Sequence, residues 1–187
     1  KGYDFAPDGE RSVAAGNATL LVNANVQGSQ DLSIAAGTGL ATFNAALGNV
    51  TAIGDGVGAA LTLESGTVVF ENTVRAASGV VAGDSTRITF RQDVTITAGD
   101  TASRLTGDVT LDGLAFLSDV ALSFGDGATD QVTLSGGPVT ITTTGAGDNL
   151  TVSGRLDGAQ DLTLSIAGAT VFAAPVGSQT ALGDGVG

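Results

Sequence analysis

The chain contains neither cysteine nor histidine, and these two absences close several chemical routes before any pattern is considered. Without cysteine there is no disulfide framework, thiolate nucleophile or Cys/His zinc site, and without histidine no imidazole shuttles protons near neutral pH. Tryptophan is also missing, Tyr3 is the single tyrosine, and aromatics make up 4% of residues, which argues against a core of large rings. Lysine occurs once, as Lys1, and the net charge is −12. Nucleic acid and anionic membrane surfaces need clustered cationic side chains to displace counterions, so neither is an expected partner. No apolar run reaches the ~18 residues that mark a membrane-spanning helix. The opening KGYDFAPDGE lacks the apolar stretch of a signal peptide, so any secretion signal is expected upstream or already removed.

What the chain does have is Val, Leu, Ile, Ala, Thr and 29 glycines in 187 residues, 42% of them hydrophobic. Small and β-branched side chains suit a thin β-structured interior, with glycine at the corners. The sequence also repeats itself. Gly28 to Gly58, GSQDLSIAAGTGLATFNAALGNVTAIGDGVG, returns at Gly158 to Gly187 as GAQDLTLSIAGATVFAAPVGSQTALGDGVG, with about half the aligned positions identical. The offset is 130 residues at the start and 129 at the end, so one residue has been lost between the copies. Such a pattern is expected of an array in which each unit is completed by its neighbour. The expected organisation is a lead-in over residues 1–17, a repeat unit over 18–157, and the start of the next copy over 158–187.

Within the unit a short phrase recurs, aliphatic, then Thr or Ser, then aliphatic or Phe. It appears as Leu32-Ser33-Ile34, Leu61-Thr62-Leu63, Ile88-Thr89-Phe90, Val109-Thr110-Leu111, Val132-Thr133-Leu134, Leu150-Thr151-Val152 and Leu162-Thr163-Leu164. Period-two alternation marks strands with one buried face, and Gly, Asp, Asn and Ser clusters between them mark turns. From Leu61 to Leu162 the phrases are 27, 21, 23, 18 and 12 residues apart, with no helical period. The fold class is therefore all-β, a parallel β-helix or β-solenoid with irregular coils. The alternative is a tandem of β-sandwich repeats, which would use more core aromatics and strands of more even length. A 130-residue unit would hold about six coils, roughly 30 Å of rise at ~4.8 Å per coil. Phe43, Phe70, Phe90, Phe116, Phe124 and Phe172 are expected to point inward.

The segments GAQDLTLSIAGATVFAAPVGSQTALGDGVG and LTVSGRLDGAQDLTL resemble the repeats of very large secreted bacterial surface proteins, the filamentous-haemagglutinin-like adhesins. The resemblance covers both repeat copies, and the stretch from Leu61 to Val152 only in style. It implies a right-handed parallel β-helix, export across a Gram-negative envelope, and a role in adhesion or matrix building. The family's repeats carry no catalytic motif to transfer. Long Asp-bearing loops make the present coils less regular than the family's cleanest repeats.

Candidate sites are few. Asp55, Asp126, Asp130, Asp148 and Asp184 adjoin or lie near glycines, and carboxylates on tight turns suit Ca²⁺. GDGATD, with Asp126 and Asp130, is the best candidate, although it lacks the calcium-binding nonapeptide and the EF-hand spacing; turn chemistry alone accounts for Asp beside Gly. N-x-T sequons stand at Asn17, Asn49 and Asn149, where a glycosylated extracellular stalk would use them. Asp93, Asp108 and Asp112 near Arg87, Arg91 and Arg104 could act on a polysaccharide, but an exposed ion-pair ladder between coils is the stronger reading, and no catalysis is expected. Thr140, Thr142, Thr143 and Thr144 form one local cluster, too irregular for an ice-binding face. The expected function is a structural extracellular segment of an adhesin-like surface fibre, needing no cofactor and open at most to Ca²⁺. Its expected partners are neighbouring repeats or further copies along the fibre, with a host or surface glycan as external ligand. The alternative is a secreted filament or surface-layer subunit that polymerises end to end, with calcium at the junctions.

Overall fold

In the computed structural model, which describes residues 3–4, 11–14, 16–83, 86–97 and 99–186, every strand pairing is parallel and no helix forms. Strands from successive passes of the chain stack into a β-solenoid of about seven turns, not a sandwich. Each turn lays down three short strands, which define three faces.

The first face stacks Val26–Gln27, an isolated bridge at Leu47, Val74–Ala76, Val94–Ile96, Ala115–Ser118, Val139–Thr143 and Leu162–Ile166. The second stacks Arg11–Ala14, the first part of Leu32–Phe43, the first part of Leu61–Phe70, then Val80–Ala82, Ser103–Leu105, Leu122–Phe124, Leu150–Val152 and Thr170–Phe172. The third stacks Leu20–Val22, the later parts of those two long strands, Thr86–Phe90, Asp108–Asp112, Gln131–Ser135 and Arg155–Asp157. Tyr3–Asp4 pairs with Val26–Gln27, and Arg11–Ala14 with the strand from Leu32, so part of the expected lead-in already belongs to the stack.

The alternation read in the sequence sets the cross-section. Val109, Val132 and Leu156 lie in register and buried, as do Leu111 and Leu134, while Thr110 and Thr133 stand between them on the outer side. One core runs the length of the stack, and all three faces contribute to it. Phe43, Phe70 and Phe90 of the third face stack at centroid spacings of 5.3 and 5.2 Å. Phe116 of the first face then meets Phe90 edge-on at 5.8 Å, and Phe124 of the second meets Phe116 at 5.6 Å, so the rings bridge the interior. Aromatic pairs in these geometries stabilise by about 0.5–1.5 kcal/mol beyond their area. Phe172 lies in register with buried Val152 on the inward side, yet it is 41% exposed, because no described turn covers it.

Corners vary far more than strands. In the two long strands the bend from second to third face is made without a break, at Gly37 and Gly66, which have φ of +60° and +78°. A side chain at Gly37 would strike the Gly16 carbonyl, and one at Gly66 would come within 2.8 Å of the Gly37 carbonyl. Glycine is needed there both for the left-handed backbone and for the close approach of successive turns. The bend from first to second face is long at residues 48–60 and short at 77–79.

The recurring phrases do not form one ladder. Those at Leu32 and Leu61 lie on the second face, the three from Ile88 to Leu134 on the third, Leu150 to Val152 on the second again, and Leu162 to Leu164 on the first. The shortened spacings of 18 and 12 residues mark steps of two faces rather than a full turn.

Candidate functional site

Polar residues at the corners hold neighbouring turns together. Side-chain oxygens of Asn17, Asn25, Asp93, Asp108, Asn149 and Asp157 each accept a backbone N–H from the next turn, 20 to 23 residues later. These amides lie where the strand ladder is interrupted and would otherwise be left to solvent. Asp157 is the most developed case. Its Oδ1 accepts from the Gln179 amide at 2.8 Å and the Thr180 amide at 3.2 Å. The Gln179 bond first, then Thr180 and the Arg155 charge, hold its carboxyl below the usual carboxylate range, against a smaller opposing effect of burial.

The calcium candidates share this turn chemistry. Asp130 Oδ2 accepts from the amides of Asp126 at 2.8 Å and Gly127 at 3.1 Å, closing the GDGATD bend on itself. Asp55 and Asp184 accept from the amides of Val57 and Val186, both at 2.8 Å. Asp148 Oδ2 is buried without a hydrogen-bond partner among the described residues. The described residues contain no group of three or more side chains placed to hold a metal.

The sequons differ in their surroundings. All three asparagines are exposed; Asn49 stands in the long corner, while Asn17 Oδ1 accepts from Thr38 and Asn149 Oδ1 from the Ala169 amide. The carboxylates singled out beside arginines are dispersed. Arg87 pairs with Asp108 at 3.5 Å, and Arg91 lies between Glu71 at 3.4 Å and Asp112 at 3.9 Å, all on or beside the third face. Asp93 is turned to the Ala115 amide, and Arg104 sits on the second face. The pairs thus bridge neighbouring turns as the ladder reading required; being largely exposed, each stabilises by about 0–1 kcal/mol. The threonine cluster also splits, with Thr143 buried while Thr140 and Thr142 look outward and Thr144 stands at the corner.

The surface formed by the described residues has recesses of two kinds. An apolar one of about 440 Å³ opens among Val13, Leu20, Val22, Val26, Leu32 and Phe43 at the first turns. A smaller polar one of about 200 Å³ lies around Gln131, Thr133, Asp157 and Thr180. Large exposed apolar side chains are concentrated in the last turn, with Val171, Phe172, Val176 and Val186 between 41% and 79% exposed. No helix among the described residues is long and apolar enough to cross a membrane.

Sequence reasoning did not find the corner clasps. The spacing of about one coil between Asn25 and Ala46, or Asp157 and Gln179, was available, but only the register between turns shows which donor each acceptor meets. Comparison with family models, curated proteins and solved structures finds no match to this chain.

Proposed function

We propose that this chain is a structural, extracellular segment of an adhesin-like surface fibre, acting in adhesion or matrix assembly through shape and stacking rather than catalysis. The observation that carries this reading is the repeated stretch of Gly28 to Gly58 and Gly158 to Gly187 built into one solenoid with a continuous core. Stacked backbone ladders and aliphatics would pass from unit to unit, as in strand addition at a sheet edge. Outward rows of Thr, Ser, Asp and Arg give a polar, acidic surface on which loops at the corners are free to vary.

The test is intact mass and electron microscopy of material from the natural source. Rods formed by a chain several times heavier than the 18.2 kDa of these residues are expected. A discrete particle of about that mass, showing no rods, would overturn the fibre reading. Display of the segment on non-adherent cells should in addition raise their retention on glycan-coated surfaces.

A further inference from the structure

Apart from the bend after the first strand, where Leu32–Phe43 runs unbroken through Gly37 but Leu162–Ile166 and Thr170–Phe172 are separate strands, the two repeat copies adopt the same turn conformations on different faces. Gly28 and Gly158 both have φ of +140°, Gly54 and Gly183 have +97° and +94°, and Gly56 and Gly185 have +91° and +78°. The Gly54 amide donates to the Gln30 carbonyl and the Gly183 amide to the Gln160 carbonyl, each at 2.9 Å. Gly48 donates to Val26 and Gly177 to Leu156, each at 2.7 Å. Yet Leu32 stands on the second face and Leu162 on the first, Phe43 on the third and Phe172 on the second, Leu47 on the first and Val176 bridged to the third. Counting up the first face through Val26, Leu47, Val74, Val94, Phe116 and Ile141 gives five turns, and Leu156 lies two faces further on. The repeat offset is thus one face short of six turns.

What lies beneath the copies corresponds in part. Val22 underlies Phe43, and Val152 underlies Phe172; Val26 underlies Leu47, and Leu156 underlies Val176. Beneath Leu32 and Leu162 the partners are different, Arg11 in the first copy and Val139 in the second, and so is the cover. In the first copy Leu61 lies on Leu32, Phe70 on Phe43, Val74 on Leu47 and Ala76 beside Ile53. The GDGVG loop then reaches two turns ahead, where Gly58 donates to Asp100 Oδ1 at 2.7 Å and the Asp100 amide donates to Gly56 at 3.3 Å. In the second copy Phe172 and Val176 are uncovered.

We infer that wherever this repeat recurs, its Ala59–Leu105 segment stacks on the preceding copy as it does on Gly28 to Gly58, and that each added unit is turned by one face, about a third of a turn, relative to the last. The Phe70 equivalent would cap Phe172, the Val74 equivalent Val176, and the Asp100 equivalent would receive the GDGVG loop. Three units would restore the starting orientation, so corner loops such as GDGATD would come to each side of the fibre in sequence rather than line one side. The biological setting of this inference rests on the fibre reading above; the stacking geometry does not.

The absence of native cysteine makes the register testable. A tandem chain would join Ala59 to Gly187 and continue through a second copy to its own Gly187. Val171→Cys in the first unit would be combined either with Val69→Cys or with Thr62→Cys in the added unit. Thr42 and Val69 are register partners with outward side chains in the first copy, so Thr42→Cys with Val69→Cys in the single chain is the positive control. Cross-linking of Val171→Cys with the added Val69→Cys, and not with the added Thr62→Cys, is expected. The reverse pattern would mean stacking by whole turns and would overturn the rotation. No cross-link to either, with both units folded and the control cross-linked, would overturn the stacking. Since none of these outcomes depends on material from the natural source, the stacking and the fibre reading can fail separately.

Discussion

Gly28 and Gly158, Gly54 and Gly183, and Gly56 and Gly185 share their conformations, and the two copies share turn hydrogen bonds, yet Phe43 is 2% exposed and Phe172 is 41% exposed. The same words in the sequence therefore fix the same local path, while burial is decided by the turn that lies above. In a globular domain these two properties are hard to separate. A solenoid separates them, because each turn contacts only its neighbours.

The largest effect that sharpens the comparison comes from placing a charge at covered and uncovered positions. Leu134, 2% exposed between neighbouring turns, should not tolerate Leu134→Asp, since an unpaired buried carboxylate costs several kcal/mol and the chain should fail to fold. Val176→Asp, at a position 45% exposed, should leave a soluble β-rich protein. Circular dichroism of both variants checks this, and a folded Leu134→Asp protein would contradict the core.

Next in size is truncation of the two equivalent rings. Phe43→Ala removes a ring stacked on Phe70 and should cost about 3–5 kcal/mol in urea unfolding. Phe172→Ala should cost less than about 1 kcal/mol, in keeping with surface substitutions. Equal losses would mean that the last turn is covered in solution.

Alanine at the two loop glycines splits backbone strain from crowding. Gly54 and Gly183 have nearly the same positive φ, +97° and +94°, so both substitutions should carry a similar strain of about 1–3 kcal/mol. Only at Gly54 would the new Cβ collide, at 2.4 Å from Ala60 Cβ; at Gly183 the nearest atom lies 3.5 Å away. Gly54→Ala should therefore be the more destabilising by about a further 1–3 kcal/mol, measured by denaturant midpoint.

The smallest effect concerns acid. The depressed carboxyl of Asp157 favours the folded state once pH is above its ordinary unfolded value, and that contribution disappears as pH falls through the lower folded value. Below the usual carboxylate range, exchange at the Gln179 and Thr180 amides should accelerate beyond the intrinsic pH trend. Asp157→Asn should remove most of that extra pH dependence. An unchanged profile in the variant would deny the carboxylate its role in holding the last turn.

The all-β solenoid was legible because alternation of aliphatics with Thr needs no knowledge of partners. Five of the six expected phenylalanines are buried for the same reason, and Phe172 is not because its exposure depends on what covers it. Which face each phrase occupies was not legible. Corner lengths vary from residues 77–79 to residues 48–60, and a single extra or missing corner strand shifts all later phrases. Likewise Asp beside Gly signalled turns correctly, but the use of Asp157 or Asn25 to hold the next turn needed the register across 21 or 22 residues.

Cover, more than the sequence the two copies share, sets their difference in burial. Hydrogen exchange of this chain, read peptide by peptide, tests it most directly. The amides of Leu32–Phe43 should exchange only through large-scale opening, while those of Leu162–Ile166 and Thr170–Phe172 exchange through local fraying, orders of magnitude faster. Equal protection of the two copies would contradict it.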